Sequence, residues 1–242
     1  MQITRTNYNT RPSFTSYNNP IKSFDLYTPK GKVHFYEINS KHPPDNGICR
    51  KLAEFFIEIF ANTSSHPYWG TLTNTKGAAF IDRVADEAKR IKKVMRSKDS
   101  TVLLAKDKAK NIVAAIFSKS LNESPLVKDS DTLYIDAIAV NPEYRGSSIG
   151  KIMMTKVLES SARRFSDAFL VSYRESVPFY KKLGFQALDY YKNPNSQFLI
   201  SEMAKERLDY PEYAEFMELP LLKPCYMDWC SRIERRSMMK EW

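Results

Sequence analysis

The spacing of apolar positions changes several times along the chain, and each change marks an element. Lys32-Val33-His34-Phe35-Tyr36-Glu37-Ile38 alternates and predicts a first strand. Asp45 is placed to cap a helix running to about residue 61, whose Leu52, Phe55, Phe56, Ile59 and Phe60 form a wide apolar face. A second helix is predicted over about 76–96, with Ala79, Phe80, Val84, Ala88, Ile91 and Met95 on one side and mixed charges opposite. Two strands, 101–105 and 112–118, are joined by a charged turn and predict an antiparallel hairpin. After a polar loop, 131–140 is rich in β-branched and aromatic residues and reads as a mostly buried strand. Asn141-Pro142 ends it, because proline cannot donate to a ladder.

Directly after that strand come Arg145-Gly146-Ser147-Ser148-Ile149-Gly150-Lys151 and then Ile152-Met153-Met154-Thr155-Lys156-Val157-Leu158, which has helical spacing. Small residues let the backbone approach a ligand, and the first turn of a helix has N–H groups without internal partners. The loop is therefore a candidate anion site, and Arg145 and Lys151 suit it to phosphate or pyrophosphate. Strand-turn-helix packing without a ligand is the alternative.

Further on, 168–172 predicts a short strand. Ser172 with Glu175, or Ser176 alone, is placed to cap the next helix, which confines Pro178 to its first turn and stops at Gly184. Residues 185–191 are expected to continue as a strand, 192–211 are polar and helix-prone, and 215–219 read as a last strand. In the tail, Tyr226, Met227, Trp229, Ile233 and Met238 lie among basic residues and predict an amphipathic helix. It covers an apolar edge of the domain, or else forms a homodimer or partner contact. Residues 1–30 are crowded with Ser, Thr, Asn and Pro and are expected to be a mobile or loosely laid arm. The loop 62–74 centres on His66-Pro67-Tyr68-Trp69-Gly70, so Tyr68 and Trp69 either contact a substrate or pack on the domain surface.

Composition narrows the classes. At 242 residues with 43% hydrophobic content, the chain fits one domain with additions, or at most two small ones. No apolar run reaches the roughly 18 residues a membrane span needs, and no secretory signal is recognisable, so a cytoplasmic address without membrane association is expected. Cys49, Cys225 and Cys230 have no metal-type spacing, and His34, His42 and His66 lie far from the last two, so neither a disulfide framework nor a metal site is expected. A formal charge of +9 suits anionic partners and argues against polycationic substrates, unless it is simply a solvated surface.

The loop Arg145-Gly146-Ser147-Ser148-Ile149-Gly150 resembles the acetyl-CoA signature of the GNAT acetyltransferase superfamily, an Arg or Gln followed by x-x-Gly-x-Gly or Ala. Ser148 stands where that family has its first defining glycine; a negative φ there would relieve the serine of strain and still present its N–H. Val177-Pro178-Phe179-Tyr180-Lys181-Lys182-Leu183-Gly184-Phe185 resembles the second hallmark, Phe-Tyr-x-x-Leu-Gly-Phe. Tyr173 departs from it, since many members have an asparagine at that place touching the cofactor.

This resemblance implies an α/β architecture, an α+β type with one twisted mixed sheet flanked by helices, over residues 31–222, with 223–242 as an extension. It implies that the strands at 132–140 and 168–172 lie parallel and splay apart. The pantetheine arm of acetyl-CoA would pair with the backbone of Ile138, Ala139 and Val140, and its pyrophosphate would lie over the N–H groups of residues 145–150. The reaction implied is direct attack of a primary amine on the thioester within a ternary complex, with a protein, aminoacyl-tRNA or small molecule as acceptor. Tyr180 would be the general acid, with a phenol pKa near 10, unless it is simply packed in the core. Asp136, ionisable within an apolar stretch, is a candidate base whose pKa burial would raise, or else bonds a neighbouring strand. The other function class is a GNAT-like domain that binds CoA or a protein without turnover, such as a secreted bacterial effector.

Overall fold

The computed structural model describes residues 21, 23–41, 43–63, 77–96, 99–121, 132–188 and 214–221. Their order is β1 (Phe24–Thr28), β2 (Gly31–Asn39), α1 (Asn46–Thr63), α2 (Ala78–Val94), β3 (Thr101–Lys106), β4 (Ile112–Ser120), β5 (Thr132–Val140), α3 (Ile149–Ser161), β6 (Asp167–Tyr173), α4 (Val177–Lys182), β7 (Gln186–Ala187) and β8 (Ala214–Pro220). One eight-stranded sheet runs in the order β1-β2-β3-β4-β5-β6-β8-β7. Every neighbouring pair is antiparallel except β5 and β6, so the sheet is mixed.

Alternation along the strands sends side chains to two cores. Leu103, Ala114, Ile116 and Leu170 pack with Met153, Val157 and Leu158 of α3 and with Val177 and Tyr180 of α4. On the other face Val102, Leu104, Ala115 and Phe117 pack with Leu52 and Phe56 of α1 and Val84 and Ile91 of α2. Helices therefore cover both faces. A third cluster, with Phe169 and Phe216 stacked at 6.0 Å, lies toward the β8 side of the sheet.

Several local signals act as expected. Ile48 N–H donates to the Asp45 carboxylate at 2.7 Å and starts α1. Gly184, at φ +93°, ends α4: its N–H donates to Lys181 and that of Phe185 to Tyr180, the Schellman pattern that left-handed glycine permits. Asn141 accepts from Glu143 N–H at 3.0 Å and turns the chain out of β5.

Three expectations are corrected. Residues 24–28 lie within the stretch expected to be an arm, yet they form β1, because Phe24 stacks on Phe35 at 4.5 Å and Leu26 is buried. The strand over 185–191 is only two residues long among the described residues, since β7 has Gln186 and Ala187 alone to pair with β8. No side chain caps α4: Ser172 Oγ donates instead to its neighbour Tyr173 C=O, and a 3-10 turn over Arg174–Ser176 leads into the helix. The C-terminal extension, Tyr68, Trp69, Cys225, Cys230, His42 and His66 lie outside the described residues.

Candidate active site

The parallel pairing of β5 with β6 runs from Thr132↔Asp167 to Ile135↔Leu170 and stops there, although β5 continues to Val140 and β6 stays paired with β8 to Tyr173. The two strands part above that point. A cavity of about 710 Å³ opens at the parting and is lined by Ile138, Ala139 and Val140 on one side and by Tyr173, Glu175 and Ser176 on the other. Tyr180, Phe179, Leu183 and Lys182 of α4, Ile59 and Phe60 of α1, and the loop into α3 complete it.

A bulge in β5 orients the first wall. Ile135 pairs with Ser118 and Ala137 with Phe117, so Asp136 has no counterpart on β4. Before it, Leu133 and Ile135 face the α3 core; after it Ile138 and Val140 do, while Ala137 and Ala139 turn to the α1/α2 core. One extra residue thus exchanges the two faces of the strand.

The loop into α3 supplies Arg145, Gly146, Ser148, Ile149, Gly150 and Lys151 to the cavity; Ser147 is not among its lining residues. Gly146 has φ +82° and Ser148 φ +59° with ψ 4°. Ser148 is therefore left-handed, contrary to the negative φ expected for it. The reason is the entry to α3: Ser148 is its N-cap, Ile152 N–H bonds back to Ser148 C=O at 3.0 Å, and the chain turns inward on that one residue. Glycine at this place in the family signature and a left-handed serine here answer the same backbone demand. N–H groups of the first turn of α3 have no intrahelical acceptors, and Arg145, Lys151 and Lys182 give the cavity three cations. A Cβ built on Gly150 would meet Val140 Cγ2 at 3.3 Å and Phe179 Cζ at 3.6 Å, so this glycine lets α3, β5 and α4 converge at the cavity.

Tyr180 is 7% exposed, with its ring edge-on to Phe179 at 5.1 Å and to Phe185 at 5.9 Å. Burial pushes its phenol well above the ordinary value near 10. The hydroxyl therefore stays protonated throughout the neutral range, a weaker acid than an exposed tyrosine, on a residue that lines the cavity.

For Asp136 the expected rise is not found, and the alternative, a bond to a neighbouring strand, is: Lys119 of β4 pairs with it. Burial would raise its carboxyl, but Arg90 Nη1 at 2.7 Å and Lys119 Nζ at 3.4 Å outweigh it and hold it down at about 2. An anion so stabilised is a poor base, and Asp136 does not line the cavity.

Residues that sequence reasoning passed over include Ile59 and Phe60, read as core, Glu175, read as a cap, and Lys182. Phe60 meets Tyr173 edge-on at 6.5 Å, joining α1 to the end of β6 across the parting strands. Only the length of the α1 apolar face, which continues to its last turn, could have pointed to Phe60. Among the described residues no cluster of three His, Cys, Asp or Glu side chains could hold a metal ion, and no helix is long and apolar enough to cross a membrane.

A mixed sheet whose two parallel neighbours splay over a helix N-terminus, with a buried tyrosine beside the gap, defines an acyl-CoA transferase type of fold. Residues 69–185 match the model of the acetyltransferase (GNAT) family, and the chain belongs to that family. It is 38% identical over 55 residues to glucosamine 6-phosphate N-acetyltransferase of Trypanosoma brucei brucei, a match covering 22% of this chain and 37% of that enzyme. The fold is similar to an acetyltransferase of the GNAT family from Staphylococcus aureus Mu50, with TM-score 0.52 and 18% identity over 78% of this chain and 99% of that one. It is also similar to the GNAT domain of S. lividans PAT, with TM-score 0.51 and 10% identity over 82% and 96% of the two chains.

Proposed function

We propose that the chain transfers an acetyl group from acetyl-CoA to a primary amine in a ternary complex. The observation that carries this is the cavity itself, in which an N-terminal turn with two left-handed residues, three cations, the freed edge of β5 and a buried phenol converge. These residues fit the co-substrate in parts. First-turn N–H groups of α3, with Arg145 and Lys151, suit its pyrophosphate. The backbone of Ile138, Ala139 and Val140, released from β6, suits the amide-bearing pantetheine arm.

Acetyl-CoA supplies the activated thioester. The chain's share is to hold it in line with the amine, which accounts for much of such an acceleration. Tyr180 presents a proton toward the departing sulfur. An alkyl thiol has a pKa around 8.5, below that of the buried phenol, so Tyr180 acts first as a hydrogen-bond donor that steadies the developing thiolate. The acceptor is drawn from small-molecule amines, such as the glucosamine 6-phosphate for which the trypanosomal relative is named, protein amines and aminoacyl-tRNA.

Thermal melts with and without acetyl-CoA test the reading. At about 100 times its Kd, the ligand stabilises by roughly 2.7 kcal/mol. Gly150→Leu, whose side chain would press on Val140 and Phe179, should abolish that shift while the ligand-free variant still melts cooperatively. Release of free CoA thiol, screened over the three acceptor classes, identifies the amine. A wild-type protein with no acetyl-CoA-dependent shift ends the proposal.

A further inference from the structure

The residues lining the cavity come from both faces of the sheet, so the parting of β5 and β6 is a passage through it. Ile138, Val140, Phe179 and Tyr180 pack with the α3 core, whereas Ile59, Phe60 and Ala139 pack with the core under α1 and α2. Arg145 and Lys151 stand at the start of α3 and Lys182 on α4, so the three cations come from elements that cover the first face. On the second face the lining residues Ile59, Phe60 and Ala139 carry no charge.

A pair of rings closes that second side. Phe60, in the last turn of α1, meets Tyr173 at the end of β6 edge-on at 6.5 Å. Phe60 in turn stacks on Phe56 at 5.9 Å with an interplanar angle of 10°, and Phe56 is buried in the core. Close-packed side chains therefore back the pair, and moving a ring disturbs them. Its height in the passage follows from the strand register. Ile135 pairs with Leu170, and three residues further along the two strands stand Ile138 and Tyr173. Ile138 is the lining residue of β5 farthest along the chain from the α3 loop. A pantetheine arm laid along Val140, Ala139 and Ile138 from phosphates at α3 brings its thioester toward that height, where the acyl group faces the rings.

We infer that Phe60 and Tyr173 form an end wall for the acyl group and set its length, so that the chain takes acetyl-CoA and rejects acyl-CoA with longer chains. This deepens the acetyl-CoA reading and rests on it. Each methylene added to the acetyl group meets a ring held by the core, and overfilling a packed site is unfavourable. Phe60 is the residue to test, because it belongs to α1 and cutting it back opens the wall without altering β5, β6 or the α3 loop.

Binding needs no amine acceptor, so calorimetric titration of wild type and Phe60→Ala with CoA, acetyl-CoA and butyryl-CoA provides the test. In the wild type, butyryl-CoA should bind at least about tenfold more weakly than acetyl-CoA. In Phe60→Ala that ratio should fall to about threefold or less, while affinity for CoA, which has no acyl group, should change less than about twofold. Phe60→Leu should move the ratio the same way by a smaller factor and decides the matter if Phe60→Ala does not fold. Equal wild-type affinities for acetyl-CoA and butyryl-CoA, an unchanged ratio in a folded variant, or equal losses for all three ligands would overturn the end wall. An unchanged ratio is also what rings lining the entrance of the amine would give. A wild-type protein that binds none of the three ligands ends the acetyl-CoA reading and this inference with it, whereas CoA binding without discrimination between acyl groups ends this inference alone.

Discussion

Ser148→Gly should make the ligand-free protein more stable. The serine has φ +59° and ψ 4°, where a residue with a Cβ is disfavoured by about 1–2 kcal/mol relative to right-handed backbone. Its hydroxyl makes no capping bond to α3 and the side chain is exposed, so nothing on the side chain offsets that cost. Glycine removes the penalty but loses more chain entropy on folding, about 0.5–1 kcal/mol. The net gain is about 0.5–1 kcal/mol, which for a domain of this size raises Tm by about 1–4 °C. Paired thermal and urea melts of wild type, Ser148→Gly and Ser148→Ala provide the measurement. Alanine retains the left-handed cost and should stay within about 0.5 kcal/mol of wild type. If Ser148→Gly is no more stable than wild type, or if alanine gains as much as glycine, left-handed strain at this N-cap is not the operative quantity.

Two further outcomes follow from buried groups. Tyr180→Phe keeps the ring contacts with Phe179 and Phe185, so Tm and acetyl-CoA affinity should hold, while the single-turnover rate of acetyl transfer falls by about 10² to 10⁴; an unchanged rate would leave Tyr180 as packing. Asp136, at about 2 in the folded protein against an ordinary 3.8, contributes stability that is full above pH 4 or so and is lost as pH falls through 2, on the order of 2 kcal/mol; urea midpoints that decline no more steeply between pH 5 and 2 in wild type than in Asp136→Asn would contradict this.

Much of the framework could be read from local chemistry. Asp45 before the apolar face of α1, Pro142 after β5 and Gly184 after α4 each act through atoms within a few residues, and the structure places them as their side chains dictate. What escaped needed distance or context. Strand β1 offers only Phe24 and Leu26 as inward residues, too few to stand out until Phe35 is opposite. Asp136 in an apolar run admits two opposite readings, and the choice belongs to Arg90, 46 residues earlier and on another element. Ser148 showed the same limit on a smaller scale, because a φ value is set by how a loop must enter its helix and not by the residue that endures it.

The position of β8 has a consequence for how the protein comes off the ribosome. This strand is inserted between β6 and β7 and pairs with seven residues of β6, from Asp167↔Pro220 to Tyr173↔Ala214. Until residues 214–220 have emerged, the freshly made β6, with Ala168, Phe169, Leu170 and Val171 at its centre, has an open edge on that side. Such an edge is a template for pairing with a neighbouring chain. Synthesis that halts before residue 214 therefore yields a cleft with its walls made and its sheet unsealed, a species suited to aggregation or to capture by chaperones.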